Sequence, residues 1–254
     1  MQKLPKVTKS GYLLDSPGEQ IVLFHGYTGT PYDLKPLAIY LHKAGYKVVV
    51  PLLKGHGTKS SSLNKINHQD WIKQADKTYL SLDKNKKTYV GGLSMGALLA
   101  IHLAYKYENI KKTILLSAAL ELSLWFDLFI ESYKYSLIKL PLYWPKINGQ
   151  SDIADEEARK ICPSYKEIPF LGLYQFNELR KIALKEIKNL NCDIFAAFGS
   201  KDSSIDVQSS KKHILKTHSE NVIIKNYQKS KHILPLDLER DMLCKDVKNF
   251  LKSK

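Results

Sequence analysis

An α/β fold, with a mainly parallel central sheet flanked by helices and one helical insertion, is what this sequence predicts. Short apolar runs of strand length alternate with helix-length stretches along most of the chain. The runs are bounded by glycine, proline and polar residues, as buried strands are. The alternation breaks only once, between about residues 119 and 181.

Residues 20–25 (QIVLFH) read as a first buried strand. Residues 31–44 read as a helix, with Pro31 near its start and Gly45 after its end. Residues 46–51 (YKVVVP) are the next strand. Residues 70–83 read as an amphipathic helix, with Asp70 as N-cap and Trp71, Ile72, Ala75 and Tyr79 near one face. Residues 88–93 form a third strand, an apolar helix at 95–107 packs behind it, and 114–117 lie in a fourth strand. Later come a strand at 193–198, a helix from about 206 to 218, a strand at 222–226 and a last helix from about 237 to 251.

The stretch from about 119 to 181 is helical in character, interrupted by Pro141, Pro145, Pro163 and Pro169, and dense in aromatic residues. Placed after a strand, it is expected to cap the C-terminal edge of the sheet, where open α/β sheets bind ligands. The expectation is therefore one domain over residues 1–254 with a cap insertion at about 119–181. Some of the aromatics pack the insertion's own core; Trp125 and Phe129 are the candidates for a substrate-facing wall.

With 44% hydrophobic and 25% charged residues, the composition is that of a globular protein. No run is long and apolar enough for a spanning helix, and no secretory signal is recognisable, so a cytoplasmic location is expected. Cys162, Cys192 and Cys244 are odd in number and widely spaced, which suits reduced thiols rather than a disulfide framework or a metal site. The net charge of +14 is almost all lysine, spread along the chain, with Arg159, Arg180 and Arg240 the only arginines. Arginine is the usual bidentate reader of phosphates and bases, so no specific nucleic-acid partner is expected. Weak contact with lipid surfaces is compatible with the charge. Oligomeric state leaves no signal in the sequence.

Residues 92–96, GLSMG, form a G-x-S-x-G between a strand and a helix. That is the setting of a nucleophile elbow, in which a sharp turn lifts the serine hydroxyl over the sheet edge. Side chains two residues either side of Ser94 would collide with backbone, hence the glycines. A serine hydroxyl needs a base. Of eight histidines, only His232 lies in a loop after the last strand and before the last helix, on the same sheet edge. The histidine needs a carboxylate to fix its tautomer. Asp202 follows a strand by three residues; Asp206 competes, but capping the helix that follows is its simpler role. An oxyanion would be held by backbone N–H groups of Met95 and Tyr27, the latter in the loop HGYTGT after the first strand.

Taken together, HGYTGTPYD, PLLKGHG, Asp70-Trp71, GLSMG, GSKD and SKHILPLD resemble, in order and spacing, small bacterial carboxylesterases and monoacylglycerol lipases of the α/β-hydrolase superfamily. The resemblance runs from about residue 20 to the C-terminus. It implies an α/β-hydrolase fold and a Ser94–Asp202–His232 triad with Tyr27 and Met95 as oxyanion donors; the region before Gln20 is short, so the family's early antiparallel strands are expected to be reduced. It also implies hydrolysis of short- to medium-chain acyl esters or monoacylglycerols, with no metal and no cofactor. The same triad would serve a thioesterase or acyltransferase, and a non-catalytic ligand-binding member would keep the pocket.

Overall fold

The computed structural model describes residues 11–123, 130, 142–146 and 150–253. At its centre is a sheet of seven strands: β1 (Gly11–Leu14), β2 (Gln20–Phe24), β3 (Lys47–Pro51), β4 (Thr88–Leu93), β5 (Lys112–Leu116), β8 (Asp193–Gly199) and β9 (Val222–Tyr227). The spatial order is β1-β3-β2-β4-β5-β8-β9, with β1 antiparallel to β3 and every other pairing parallel. Tyr143–Pro145 (β6) and Glu167–Pro169 (β7) form a separate antiparallel ribbon.

Each central strand is buried on both sides, and its side chains alternate between two cores, as the period of two requires. Val22 and Phe24 of β2, Leu115 of β5 and Ile194, Ala196 and Phe198 of β8 enter one core. Ile21, Leu23, Ile114, Leu116, Phe195 and Ala197 enter the other. The first core is covered by α2 (His68–Leu80), α3 (Met95–Lys106), α5 (Phe170–Glu186) and α6 (Val207–Ile214); the second by α1 (Lys35–Lys43) and α7 (Arg240–Lys252). Helix α3 is apolar almost all round because it is buried between the sheet, α2 and α5. A short helix α4 (Glu156–Ile161) precedes β7.

Several sequence expectations shift in detail. The stretch 31–44 divides into a 3-10 turn, Pro31–Leu34, and α1. Asp70 is not the N-cap of α2. The helix begins earlier, Asn67 accepts from Gln69 N, and the Asp70 carboxylate reaches back to Asn67 N at 3.1 Å to close a capping box. The buried face of α2 is the expected one: Trp71, Ile72, Ala75 and Tyr79. Asp206 caps α6, accepting from Ser209 N at 3.0 Å. Among the described residues, one antiparallel strand, β1, precedes the parallel series.

Candidate active site

All the parallel strands end at one edge, and the candidate residues lie there. Strand β4 runs into Ser94, whose φ of 55° and ψ of −114° are rare for any residue with a side chain. Its N–H donates to Leu116 O at 2.8 Å, which ties the turn to β5. The flanking glycines are steric necessities. A Cβ at Gly92 would stand 2.1 Å from the Gly96 backbone, and one at Gly96 2.0 Å from Phe24 O. The chain then enters α3 at Met95, so the Met95 N–H is one of the unsatisfied donors of a helix start.

The loop after β2 is anchored by His25, which is fully buried. Its Nε2 accepts from Leu53 N at 3.0 Å, which leaves the proton on Nδ1 to be donated to Gly26 O at 3.0 Å. Burial, with His56 adding to it, holds His25 well below the usual histidine range, so it stays neutral. Gly26 brings this loop against the serine: a Cβ there would lie 3.4 Å from Ser94 Cβ. Tyr27 stacks on Phe176 at 5.5 Å and donates its hydroxyl to Pro169 O at 2.8 Å. Its side chain is thereby committed to α5 and β7. Among the described residues, neither Tyr27 N–H nor Met95 N–H meets an acceptor.

His232, in the loop after β9, and Asp202, three residues after β8, are joined by a bond of 2.7 Å between Nδ1 and Oδ2. The Asp202 side chain is fully buried, and its Oδ1 accepts from Ser204 N at 2.8 Å. Burial alone would lower the His232 pKa; the charge and hydrogen bond of Asp202, helped by Asp152, outweigh it and raise the group above 6.5. The structure thus brings Asp202, not Asp206, to His232. Ser94 and His232 line one cavity, and Ser94 Oγ makes no hydrogen bond to a described residue.

Residues that sequence patterns do not single out hold this geometry. Ser117, with φ of 42°, donates its hydroxyl to His232 O at 2.7 Å. Asp237, fully buried, accepts from Lys231 N at 2.7 Å, Asp155 N at 2.9 Å, Ala154 N at 3.0 Å and Leu238 N at 2.8 Å. It therefore pins the histidine loop to the chain entering α4.

The cavity has a volume of about 540 Å³. One wall is apolar, made by Leu122, Ile168, Phe170, Leu173 and Phe176. Trp125 and Phe129 lie outside the described residues. The dense aromatic composition of the insertion was the signal for this wall, though Leu122, Ile168 and Leu173 carry none of it. A second wall is polar and includes Asp33, Lys146, Ser151, Arg159 and Ser164. Burial raises Asp33 to about 6 and lowers Lys146 to about 8. Among the described residues, no group of three His, Cys, Asp or Glu side chains is placed to hold a metal ion, and no helix is long and apolar enough to cross a membrane. The three cysteines are free.

Known proteins resemble this chain in sequence and in fold. The sequence model of the hydrolase family described as serine aminopeptidase, S33, matches residues 15–239. A thermostable monoacylglycerol lipase of Bacillus sp. (strain H-257) is 28% identical over 227 residues, covering 88% of this chain and 86% of that protein. A carboxylesterase of Bacillus subtilis (strain 168) is 26% identical, covering 97% of each chain. The metagenome-derived lipolytic enzymes LipS and LipT supply a solved structure with a TM-score of 0.83 at 21% identity, covering 97% of this chain and 99% of that one. The chain belongs to this family of serine hydrolases, and its sheet, helices and elbow have the α/β-hydrolase fold.

Proposed function

We propose that the protein hydrolyses carboxylic esters through an acyl-enzyme on Ser94. His232 takes the serine proton, Asp202 holds the imidazole, and the N–H groups of Tyr27 and Met95 receive the oxyanion. The observation that carries this reading is the 2.7 Å bond from Nδ1 to Asp202, which leaves Nε2 as the working nitrogen in a cavity shared with Ser94. Attack by Ser94 Oγ moves negative charge onto the carbonyl oxygen, where one preorganised donor is worth roughly 3 kcal/mol. The imidazolium returns its proton to the leaving alcohol. Water, activated by the same nitrogen, then clears the acyl group and frees the serine.

The apolar wall supports a short- to medium-chain acyl group, and the relatives named monoacylglycerol lipase and carboxylesterase point to the same small-ester class. The reading extends to a single domain whose segment at about 119–181 acts as the cap, and to a cytoplasmic enzyme that needs no cofactor; three free thiols suit a reducing compartment. An aminopeptidase would need a free carboxylate to receive the substrate ammonium. The two carboxylates on the described cavity lining are already engaged by cations, Asp33 by the charge of Lys146 and Asp152 by Lys231, which favours esters.

The test is a chromogenic ester series from acetyl to long acyl chains, with S94A beside the wild type and an aminoacyl anilide as the peptidase arm. Cleavage should peak at short or medium chains. S94A should lose about a thousandfold or more while keeping the wild-type unfolding transition. Wild-type kcat in S94A would overturn the assignment.

A further inference from the structure

We propose that the polar wall of the cavity is an anion subsite, centred on Lys146 and completed by Arg159, which selects esters whose alcohol portion carries a phosphate or carboxylate group. The proposal rests on the ester-hydrolase reading and names its substrate class.

A buried ammonium is costly unless something of opposite charge faces it. Lys146 is such a group. Its Nζ donates to Ser164 Oγ at 3.1 Å, and no described carboxylate lies within ion-pair distance. Ser164 is itself shared with Ser151, Oγ to Oγ 2.6 Å. Of the two acids on the cavity wall, Asp33 is the counter-charge that acts on Lys146, beyond ion-pair distance, and Asp152 is taken by Lys231. Asp33 caps the 3-10 turn, accepting from Thr30 N at 3.3 Å, and its other oxygen accepts the Cys162 thiol at 3.7 Å. Asp152 accepts from Ser203 N at 3.0 Å and pairs with Lys231 at 3.3 Å. Arg159 adds a second cation, whose ion-pair partner Glu156 lies off the cavity lining. Its Nε is buried without an acceptor, and its ion pair to Glu156 is stretched to 3.9 Å.

Two cationic groups with unused N–H donors therefore line the cavity that holds Ser94. Burial lowers Lys146 to about 8, so it remains mainly protonated at neutral pH. A neutral polyol could accept from these donors but would leave uncompensated the excess positive charge of the lining, where Lys146, Arg159 and Lys231 stand against Asp33 and Asp152. A phosphate or carboxylate would satisfy donors and charge together. The acyl chain belongs against the apolar wall, so the anion sits on the alcohol side.

The experiment compares kcat/KM for 1-butyrylglycerol, its 3-phosphate and the butyryl ester of glycerate, in wild type, K146M and K146R. The wild type should favour an anionic ester by about tenfold or more, chiefly through KM. K146M should reduce that ratio by about tenfold, and K146R should restore most of it. In parallel, calorimetry on S94A measures glycerol 3-phosphate, glycerate and glycerol. An anion should bind at least about tenfold tighter than glycerol. A purely structural Lys146 would lower all three rates together and leave the ratio intact, which overturns the subsite. Should K146M fail to fold, the wild-type ratio and the calorimetry decide. Equal binding of glycerol and both anions refutes the subsite while ester hydrolysis stands. Tight anion binding by S94A, with no ester cleaved by wild type, refutes the hydrolase reading and keeps the subsite.

Discussion

Replacing Asp202 by asparagine tests the proposed chemistry at the level of one proton. Asp202 uses both oxygens: Oδ1 accepts from Ser204 N at 2.8 Å, and Oδ2 faces His232 Nδ1 at 2.7 Å. An asparagine must turn its carbonyl to the Ser204 N–H, because two donors cannot face each other. Its NH2 then points at Nδ1 and forces that nitrogen to accept. The imidazole proton moves to Nε2, the nitrogen that has to receive the serine proton. The expected loss is about ten-thousandfold in kcat, or about 5 kcal/mol of transition-state stabilisation. A second readout follows. Without the Asp202 charge, burial dominates His232 and its pKa falls, so residual activity should persist to lower pH than in wild type. D206A is the matched control. It removes the α6 cap, costs about 1 kcal/mol of stability, and should leave kcat within about twofold. Chromogenic ester hydrolysis on both variants, with urea unfolding alongside, makes the comparison. D202N with more than about a tenth of wild-type activity, or D206A inactive but folded, would refute the assignment.

Two further outcomes are expected. The acid limb of the wild-type kcat/KM profile should have its midpoint above 6.5, because the folded-state pKa of His232 is raised. By linkage, the stability from the protonated His232–Asp202 pair is full below 6.5 and is lost as pH rises through the raised value; a midpoint below 6.5 would contradict the geometry. D237A strands the N–H groups of Ala154, Asp155, Lys231 and Leu238. With some replaced by water, a loss of roughly 3–5 kcal/mol is expected from the urea midpoint at constant slope; less than about 1 kcal/mol would mean the loop does not depend on this carboxylate.

What was legible in the sequence is what local chemistry determines. Gly92 and Gly96 are readable because the collisions they avoid belong to one turn. Asp206 is readable as a cap because its acceptor role spans three residues, and removing it from contention leaves Asp202. The α2 start was misplaced because His68, Gln69 and Asp70 form a polar first turn with no apolar periodicity, so Asp70 looked like the boundary when Asn67 was. Strand β1 escaped notice because GYLL is only four residues long and sits at an edge. Ser117 and Asp237 were invisible for another reason. Ser117 bonds His232 O 115 residues away, and Asp237 reaches Ala154 N 83 residues away as well as its own loop; a lone serine or aspartate says nothing about a contact at that range. Lys146 falls in the same class, since one lysine among many gains meaning only from its burial.

The long-range residues explain how the strained positions survive. Among the described residues, the non-glycine positions with positive φ are Thr28, Ser94 and Ser117, and each follows a parallel strand at the edge that carries the cavity. Each costs on the order of 1–3 kcal/mol and persists only where its surroundings leave no alternative. Ser94 N is fixed by Leu116 O, Ser117 N by Ala197 O at 2.7 Å, and Thr28 O by Tyr165 N at 3.0 Å. Leu116 and Ala197 stand in paired register on adjacent parallel strands. At Ser94 and Ser117 the strain is therefore held by the sheet itself, and the Ser117 hydroxyl ties His232 O to the same edge. The elbow and the histidine loop are thus both secured to neighbouring strand ends. This gives a serine and an imidazole borne by separate loops a preorganised geometry that short local motifs could not provide.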